Sequence, residues 1–405
     1  MRIALISMHT SPAAVPGRGD AGGMNVVVRE AASALAARGH DVSVITRATA
    51  AEPAGTRPLH ASHPSGARLI SIAAGDPDAP KEALPALVPD FSRAMVSRFA
   101  DDHAFDAVHA HYWLSGVAAL PLAATSRVVP AITLHTVGAQ KNALLAPGAR
   151  PEPPLRLAAE RAVVMRGTAV AVSRAEAAAI RHATAVPVAD DRLVLPGVDT
   201  SMFRPRPRDV SRETPTTLRL TVLGRVQPLK GQDLAVRAAV ALAQRDPELW
   251  SRTELIIAGE PTPGAEPFAR QLRELARIGG IAKQVRFLPA QDRASAAQLL
   301  SESTLALVPS HSETFGLVAL EAAASGTPVI AAAHTGLVEA APDGIAGALV
   351  EGRDPEQWAA VIAALLRDAA RLTRLRESAR RHALSHDWSA HAAALERIYA
   401  SLRLT

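Results

Sequence analysis

The chain has 405 residues, 48% of them hydrophobic and 20% charged, with no cysteine and a formal net charge of +5. That composition excludes a disordered chain, a collagen, a disulfide-stapled scaffold, cysteine-ligated metal centres and thiol nucleophiles. Only four of the 44 basic residues are lysine, and the high pI reflects how little titrates between pH 7 and 10. No block of five like charges occurs, so nucleic acid is not an expected partner.

The opening run Met1–Ser7 is too short for a secretory apolar segment. The most apolar stretch, Trp113 to Ser126, contains Gly116 and Pro121 and ends at Arg127, short of the ~20 residues that span a bilayer. A cytoplasmic protein with no membrane span is expected.

Near-continuous β-branched runs at 2–7, 41–46, 67–72, 107–111, 131–135, 169–172 and 192–195 predict strands, with helices between most of them, such as 24–38 and 154–165. Strands of this kind alternating with helices predict a parallel sheet covered on both faces. The stretch Pro196-Gly197-Val198-Asp199, followed by Phe203-Arg204-Pro205-Arg206-Pro207, reads as a linker. The rhythm then restarts with strands at 218–223, 254–258, 285–288, 305–309 and 328–332, and the chain ends in helical pattern at 355–368, 371–385 and 389–402. The expected fold is α/β, with two Rossmann-like domains facing a cleft, bounded at 1–200 and 208–386.

Ligands of such sheets bind beyond the carboxyl ends of the strands, and four sets of residues stand there. Gly17-Arg18-Gly19-Asp20-Ala21-Gly22-Gly23-Met24-Asn25 lies between the first strand and the first helix. Its paired glycines allow close backbone approach, and the helix start offers free N–H groups to an anion. Lys81, His111-Tyr112, His135-Thr136, Lys141 and Arg156 end strands or open helices and together could clamp an anion; the histidines could equally cap strand ends. Gly224-Arg225-Val226-Gln227-Pro228-Leu229-Lys230-Gly231 presents two cations suited to a diphosphate leaving group. Pro309-Ser310-His311-Ser312-Glu313-Thr314-Phe315-Gly316-Leu317 runs into a helix carrying Glu321, so one carboxylate precedes the helix and the other lies within it. The amides of Gly316 and Leu317 could hold a phosphate, and Glu321 a ribose. No Asp-x-Asp metal site is expected in the chain. No obligatory metal or other cofactor is expected, and Mg²⁺ is not evident.

Taken together, these loops resemble the retaining glycosyltransferases of family 4, which have the GT-B fold. The Glu-x7-Glu spacing of Glu313 and Glu321 is that family's mark. Further matching stretches are His9-Thr10-Ser11-Pro12, His111 to Gly116, Lys141-Asn142, Pro151 to Arg156, Pro196 to Asp199 and Gln227 to Lys230. Within the family the likeness is to the branch that acts on an inositol phosphate in mycothiol biosynthesis. The resemblance implies retaining transfer of N-acetylglucosamine from UDP-GlcNAc to 1D-myo-inositol 3-phosphate, or the same chemistry with another nucleotide-hexose donor or phosphorylated acceptor.

It also implies residue roles. His9 and the run Asp20, Ala21, Gly22, Gly23, Met24 and Asn25 would face the acceptor, with Gly23 also at the donor. Lys81, Tyr112, Thr136 and Arg156 would hold the acceptor phosphate. Arg225, Lys230 and Glu313 would be catalytic. The same three, with Phe315, Gly316, Leu317 and Glu321, would bind the donor. The last helix would cross back to the first domain over 387–405. A homodimer is compatible with the resemblance, but the residues are silent on it. Departures cluster in the donor half: Gly259-Glu260-Pro261-Thr262, Ser303-Thr304 and His334-Thr335-Gly336-Leu337-Val338 replace the usual Gly-Gly-Pro-Ser, Ala-Asp and Gly-Gly-Leu-Pro. A nucleotide-sugar binding protein without turnover, a phosphorylase or a non-hydrolysing epimerase are the competing readings.

Overall fold

The computed structural model of the protein describes residues 1–17, 20–60, 66–100, 105–146, 148–206 and 217–404. The first half holds strands β1 (Arg2–Ile6), β2 (Asp41–Arg47), β3 (Gly55–Pro58), β4 (Arg68–Ile72), β5 (Ala107–His111), β6 (Ala131–Thr133) and β7 (Thr168–Ala169). The second half holds β8 (Leu218–Leu223), β9 (Thr253–Ala258), β10 (Val285–Leu288), β11 (Leu305–Val308), β12 (Val329–Ala332) and β13 (Gly347–Val350). They form two sheets, ordered β3-β4-β2-β1-β5-β6-β7 and β10-β9-β8-β11-β12-β13. Every pairing is parallel except β3 with β4.

β1 shows why the strands read as unbroken apolar runs. Ile3 and Leu5 enter one core with the helix Gly23–Ala37, while Ala4 and Ile6 enter another with the helix Trp113–Thr125. Both faces of the sheet are therefore covered, and period-2 alternation disappears from the sequence. The second sheet is wrapped in the same way around Leu220, Leu255, Leu305 and Ile330.

The final helix, Trp388–Ser401, crosses back to the first sheet. Asp387 caps its start through the Ser389 amide. Ala392, Leu395, Ile398 and Tyr399, at helical spacing, join the Ile3–Leu5 core, and the Tyr399 hydroxyl meets Nδ1 of His109 at 2.7 Å. The two chain crossings touch where Gly197 passes Trp388. A Cβ at Gly197 would stand 2.6 Å from the Trp388 nitrogen, which leaves room only for glycine. The Val198 amide donates to the His386 carbonyl at 3.0 Å.

The expected strand at 192–195 is only a bridge between Ala171 and Leu193, because a 3₁₀ turn precedes it and Pro196 supplies no ladder donor. Two strands were not expected. β3 is an exposed antiparallel edge containing Gly55 and Pro58, and β13 is a short run following a turn. Pro207 of the expected linker, and Arg18 and Gly19 of the first loop, lie outside the described residues. No described helix is long and apolar enough to cross a membrane.

Candidate active site

The carboxyl edges of the two sheets face one another across a cavity of about 770 Å³. It is lined by the loops that leave β1, β4, β5, β6, β8, β9, β10 and β11. Lys81, Lys141, Arg156, Arg225, Lys230 and Arg293 line it together with Asp20, Glu82, Glu152, Glu313 and Glu321.

On the first-sheet side, Lys81 Nζ lies 3.0 Å from Asp20 Oδ1, and Arg225 Nη1 reaches the same oxygen from the other sheet at 3.7 Å. Burial pushes the Asp20 carboxyl up, but Lys81 and Arg225 hold it below its ordinary value. The Gly22-Gly23 pair begins the first helix. A Cβ at Gly22 would stand 3.5 Å from the Arg225 guanidinium, and one at Gly23 would stand 3.3 Å from Leu317. These glycines therefore let the second-half loops approach the first helix.

Met24 lines the cavity, whereas Ala21 is buried and does not. Asn25 also lines it, yet both of its amide hydrogens are spent, on Thr10 Oγ1 (3.0 Å) and the Ser11 carbonyl (2.8 Å), while its Oδ1 accepts from the Gly22 amide (2.8 Å). Its direct effect is to fix the loop after β1. The His9 ring packs on Tyr112 at 4.2 Å. Burial, with the charge of Lys81 in support, lowers its pKa to about 3, so it is neutral at pH 7.

Arg156 sits near the start of the helix Pro154–Arg166, and its side chain is 3% exposed. Nε donates to Glu160 (2.6 Å), Nη2 to the carbonyl and hydroxyl of Thr136 (2.8 and 2.7 Å), and Nη1 pairs with Glu152 (2.9 Å). The guanidinium lies 4.9 Å from the Tyr112 ring centre. Arg156, Tyr112 and Thr136 thus form one unit. Lys81 is paired with Asp20, and Lys141 with Glu152.

The histidines do not join a charged clamp. His111 Nδ1 meets His135 Nε2 at 2.9 Å, both rings are buried, and burial drives both pKa values far below the ordinary histidine range. They tie the ends of β5 and β6 as neutral rings. An Asp-x-Asp triplet does occur outside the four loops, at Asp76-Pro77-Asp78, and it is exposed and off the cavity wall. Among the described residues no cluster of three or more His, Asp or Glu side chains could hold a metal ion.

On the second-sheet side, Lys230 ends a 3₁₀ turn after β8 and donates to Glu313 Oε1 at 2.6 Å, where the Ser310 hydroxyl also arrives at 2.8 Å. Gly231 closes this turn at φ 68°, and a Cβ there would overlap the Pro309 carbonyl at 2.0 Å. Glycine is therefore what lets the Lys230 and Glu313 loops touch. The Glu313 backbone is held by 334–336: its amide donates to Thr335 Oγ1 (3.1 Å), and the Gly336 amide donates to its carbonyl (2.9 Å). Gly316, at φ 111°, opens the helix Leu317–Ala324. The Leu317 and Val318 amides come before the first intrahelical bonds, which the Ala319 and Leu320 amides give to the Gly316 carbonyl, and this suits them to an anion.

Glu321 is buried four residues into this helix, and Arg293 Nη1 pairs with it at 3.1 Å. Burial raises the Glu321 carboxyl, and Arg293 offsets this only in part. Phe315 is buried and lines the cavity with Gly316 and Leu317. Arg293 was not anticipated, although it lies just past the carboxyl end of β10, where the same criterion applies. Ser303 and Thr304, by contrast, bond within the second half: Ser303 meets Thr221 at 2.7 Å and Thr304 accepts from the Arg219 amide at 3.0 Å.

One loop fastens the two halves beside the cavity. The Thr314 hydroxyl donates to the His135 carbonyl, and Ser173 Oγ donates to the Thr314 carbonyl at 2.6 Å. Ser173 also caps the helix Arg174–Thr184 through the Glu176 amide. The Glu176 carboxylate accepts from the Val172 amide at 2.7 Å, and burial raises its pKa to about 7 from 4.5. The folded state therefore holds this proton more tightly than the unfolded chain does. Stability falls as pH rises from about 4.5 through 7, and the loss is complete above that. Relative to Glu176→Gln, the protein should lose about 2–3 kcal/mol between pH 5 and pH 8. Chemical denaturation of both proteins at those two pH values measures it.

This arrangement is that of a known family. A model described as Glycosyltransferase Family 4 matches residues 21–202, and one described as Glycosyl transferases group 1 matches residues 204–382. The chain is 40% identical to the D-inositol 3-phosphate glycosyltransferase of Salinispora arenicola, covering 98% of this chain and 91% of that one. It is 42% identical to the protein of the same name from Geodermatophilus obscurus, covering 96% and 86%. Among solved structures, sucrose-phosphate synthase from Thermosynechococcus elongatus superposes with a TM-score of 0.87 at 29% identity, covering 99% and 98%. The chain belongs to the family 4 glycosyltransferases and is a sugar-nucleotide-dependent glycosyltransferase of the GT-B fold.

Proposed function

We propose that the protein transfers N-acetylglucosamine from UDP-GlcNAc to 1D-myo-inositol 3-phosphate with retention of configuration, the first step of mycothiol biosynthesis. The single observation that carries this reading is that cationic side chains line two ends of the cavity. One, on the second sheet, is Arg225 and Lys230 with the Leu317 helix start; the other, on the first, is Lys81, Tyr112, Thr136 and Arg156. The names of the relatives at about 40% identity support the choice of acceptor. On this reading residues 1–200 with 387–405 hold the acceptor, and 208–386 hold the nucleotide sugar.

Arg225 and Lys230 take up the charge that grows on the diphosphate as the glycosidic bond breaks, and the helix amides add to it without a metal. Glu313 lies at the donor sugar, while Glu321 receives the ribose hydroxyls. Glu313 and Glu321 lie in one loop–helix unit, unlike the flanking acid pair of a hydrolase. The acceptor oxygen therefore attacks from the face that UDP leaves, and a departing phosphate oxygen takes its proton. The fastened halves shield the donor from water.

Acceptor-dependent release of UDP tests the reading. A second reading, the same chemistry with another nucleotide-hexose donor, is favoured by Thr335, which departs from the usual Gly-Gly-Leu-Pro and holds the Glu313 amide. Substituting UDP-glucose in the same assay decides between the two.

A further inference from the structure

The Glu152 carboxylate bridges Lys141 and Arg156, one oxygen to each. Two acids hold Arg156, and they are built differently. Glu160 is 2% exposed, stands off the cavity wall, and its second oxygen takes the Gly138 amide at 2.9 Å, so it is a fixed counter-charge. Glu152 lines the cavity, its side chain is 18% exposed, and its oxygens rest on the two cations. Its backbone is pinned instead, since the Glu152 amide donates to Asn142 Oδ1 at 2.7 Å and Asn142 Nδ2 donates back to the Glu152 carbonyl at 3.3 Å. The side chain can therefore turn away without moving the helix that carries Arg156.

The geometry at Arg156 says where an entering anion must go. Nε is spent on Glu160 and Nη2 on Thr136, which leaves Nη1 as the nitrogen facing an exchangeable partner, and Glu152 occupies it. Lys141 is held by the same carboxylate. We propose that Glu152 is a resident counter-anion of Lys141 and Arg156 which the acceptor's phosphate displaces, so that Glu152 holds the affinity of this subsite for phosphate below what the two cations alone would give. This rests on the acceptor reading above and adds two residues to it: Lys141 as a further phosphate ligand and Glu152 as a positioning residue.

A phosphate dianion carries more charge than a carboxylate and can take both cations from it. A neutral polyol brings no charge, so Lys141 and Arg156 stay with Glu152.

The test is calorimetric titration of inorganic phosphate into the full chain, as wild type and as Glu152→Gln. The variant should bind phosphate about tenfold more tightly, the size of one partly screened charge contact. Adding Lys141→Gln should remove that gain. A thermal melt shows that the variant is folded; if it is not, Glu152→Asp, with its shorter reach to both cations, should give a smaller gain in the same direction. Equal or weaker phosphate binding by a folded variant, or no binding by any of them, overturns the proposal. Loss of a merely structural carboxylate would not raise affinity. Because phosphate is the only ligand, the titration stands apart from the transfer reading, whose own failure appears as wild-type protein releasing no UDP in response to acceptor.

Discussion

Lys230→Ala should lower kcat by about 10²–10³-fold, the usual effect of removing one donor aimed at developing charge. Its ammonium is placed by a turn that only Gly231 can close and is held on Glu313 at 2.6 Å, at the meeting point of the loops after β8 and β11. The loss should fall on the chemical step, because the diphosphate gains charge only as the bond breaks. Stability should change by no more than about 1 kcal/mol. The pair is partly exposed, and Glu313 keeps the Ser310 hydroxyl and its backbone ties to 335 and 336. Steady-state kinetics with saturating donor, alongside a thermal melt, checks both halves. A loss under tenfold would remove Lys230 from the catalytic role.

Arg156→Ala should do the opposite, damaging both fold and acceptor binding while sparing the donor. The guanidinium lies between Glu152 and Glu160, and removing it leaves the buried Glu160 carboxylate without its cation. Breaking such a buried pair costs about 3–5 kcal/mol. Acceptor KM should rise by about 100-fold or more, the value of a desolvated charge-assisted contact, with donor KM nearly unchanged. Adding Glu160→Gln should recover part of the stability and none of the acceptor affinity. Denaturant midpoints and KM values for the single and double variants test this. Unchanged acceptor KM in a folded Arg156→Ala protein would dissolve the clamp.

How much of this could be read in the residues depended on chain distance. Gly22-Gly23, Arg225 with Lys230, and Glu313 with Glu321 are signals within one loop, and the strand–helix alternation placed each loop at a sheet's carboxyl edge. Glu152 illustrates the limit. Its spacing of four from Arg156 is visible in the sequence, but its hold on Lys141 exists only because the segment between them folds back through Asn142. Arg293 meets Glu321 28 residues further along the chain, and nothing local announces the pair. His111 and His135 looked able to carry charge; burial at the ends of adjacent strands makes them neutral, and burial is a property of the whole fold. β3 escaped because an exposed edge with glycine and proline has neither alternation nor an apolar run.

The most direct measurement is the rate of UDP release from UDP-GlcNAc with 1D-myo-inositol 3-phosphate, with plain myo-inositol, and with no acceptor. The account predicts fast release with the phosphorylated acceptor alone and near-background rates in the other two arms. Equal rates in all three arms would contradict it, for they would mean that the Lys81, Tyr112, Thr136 and Arg156 side of the cavity does not govern transfer.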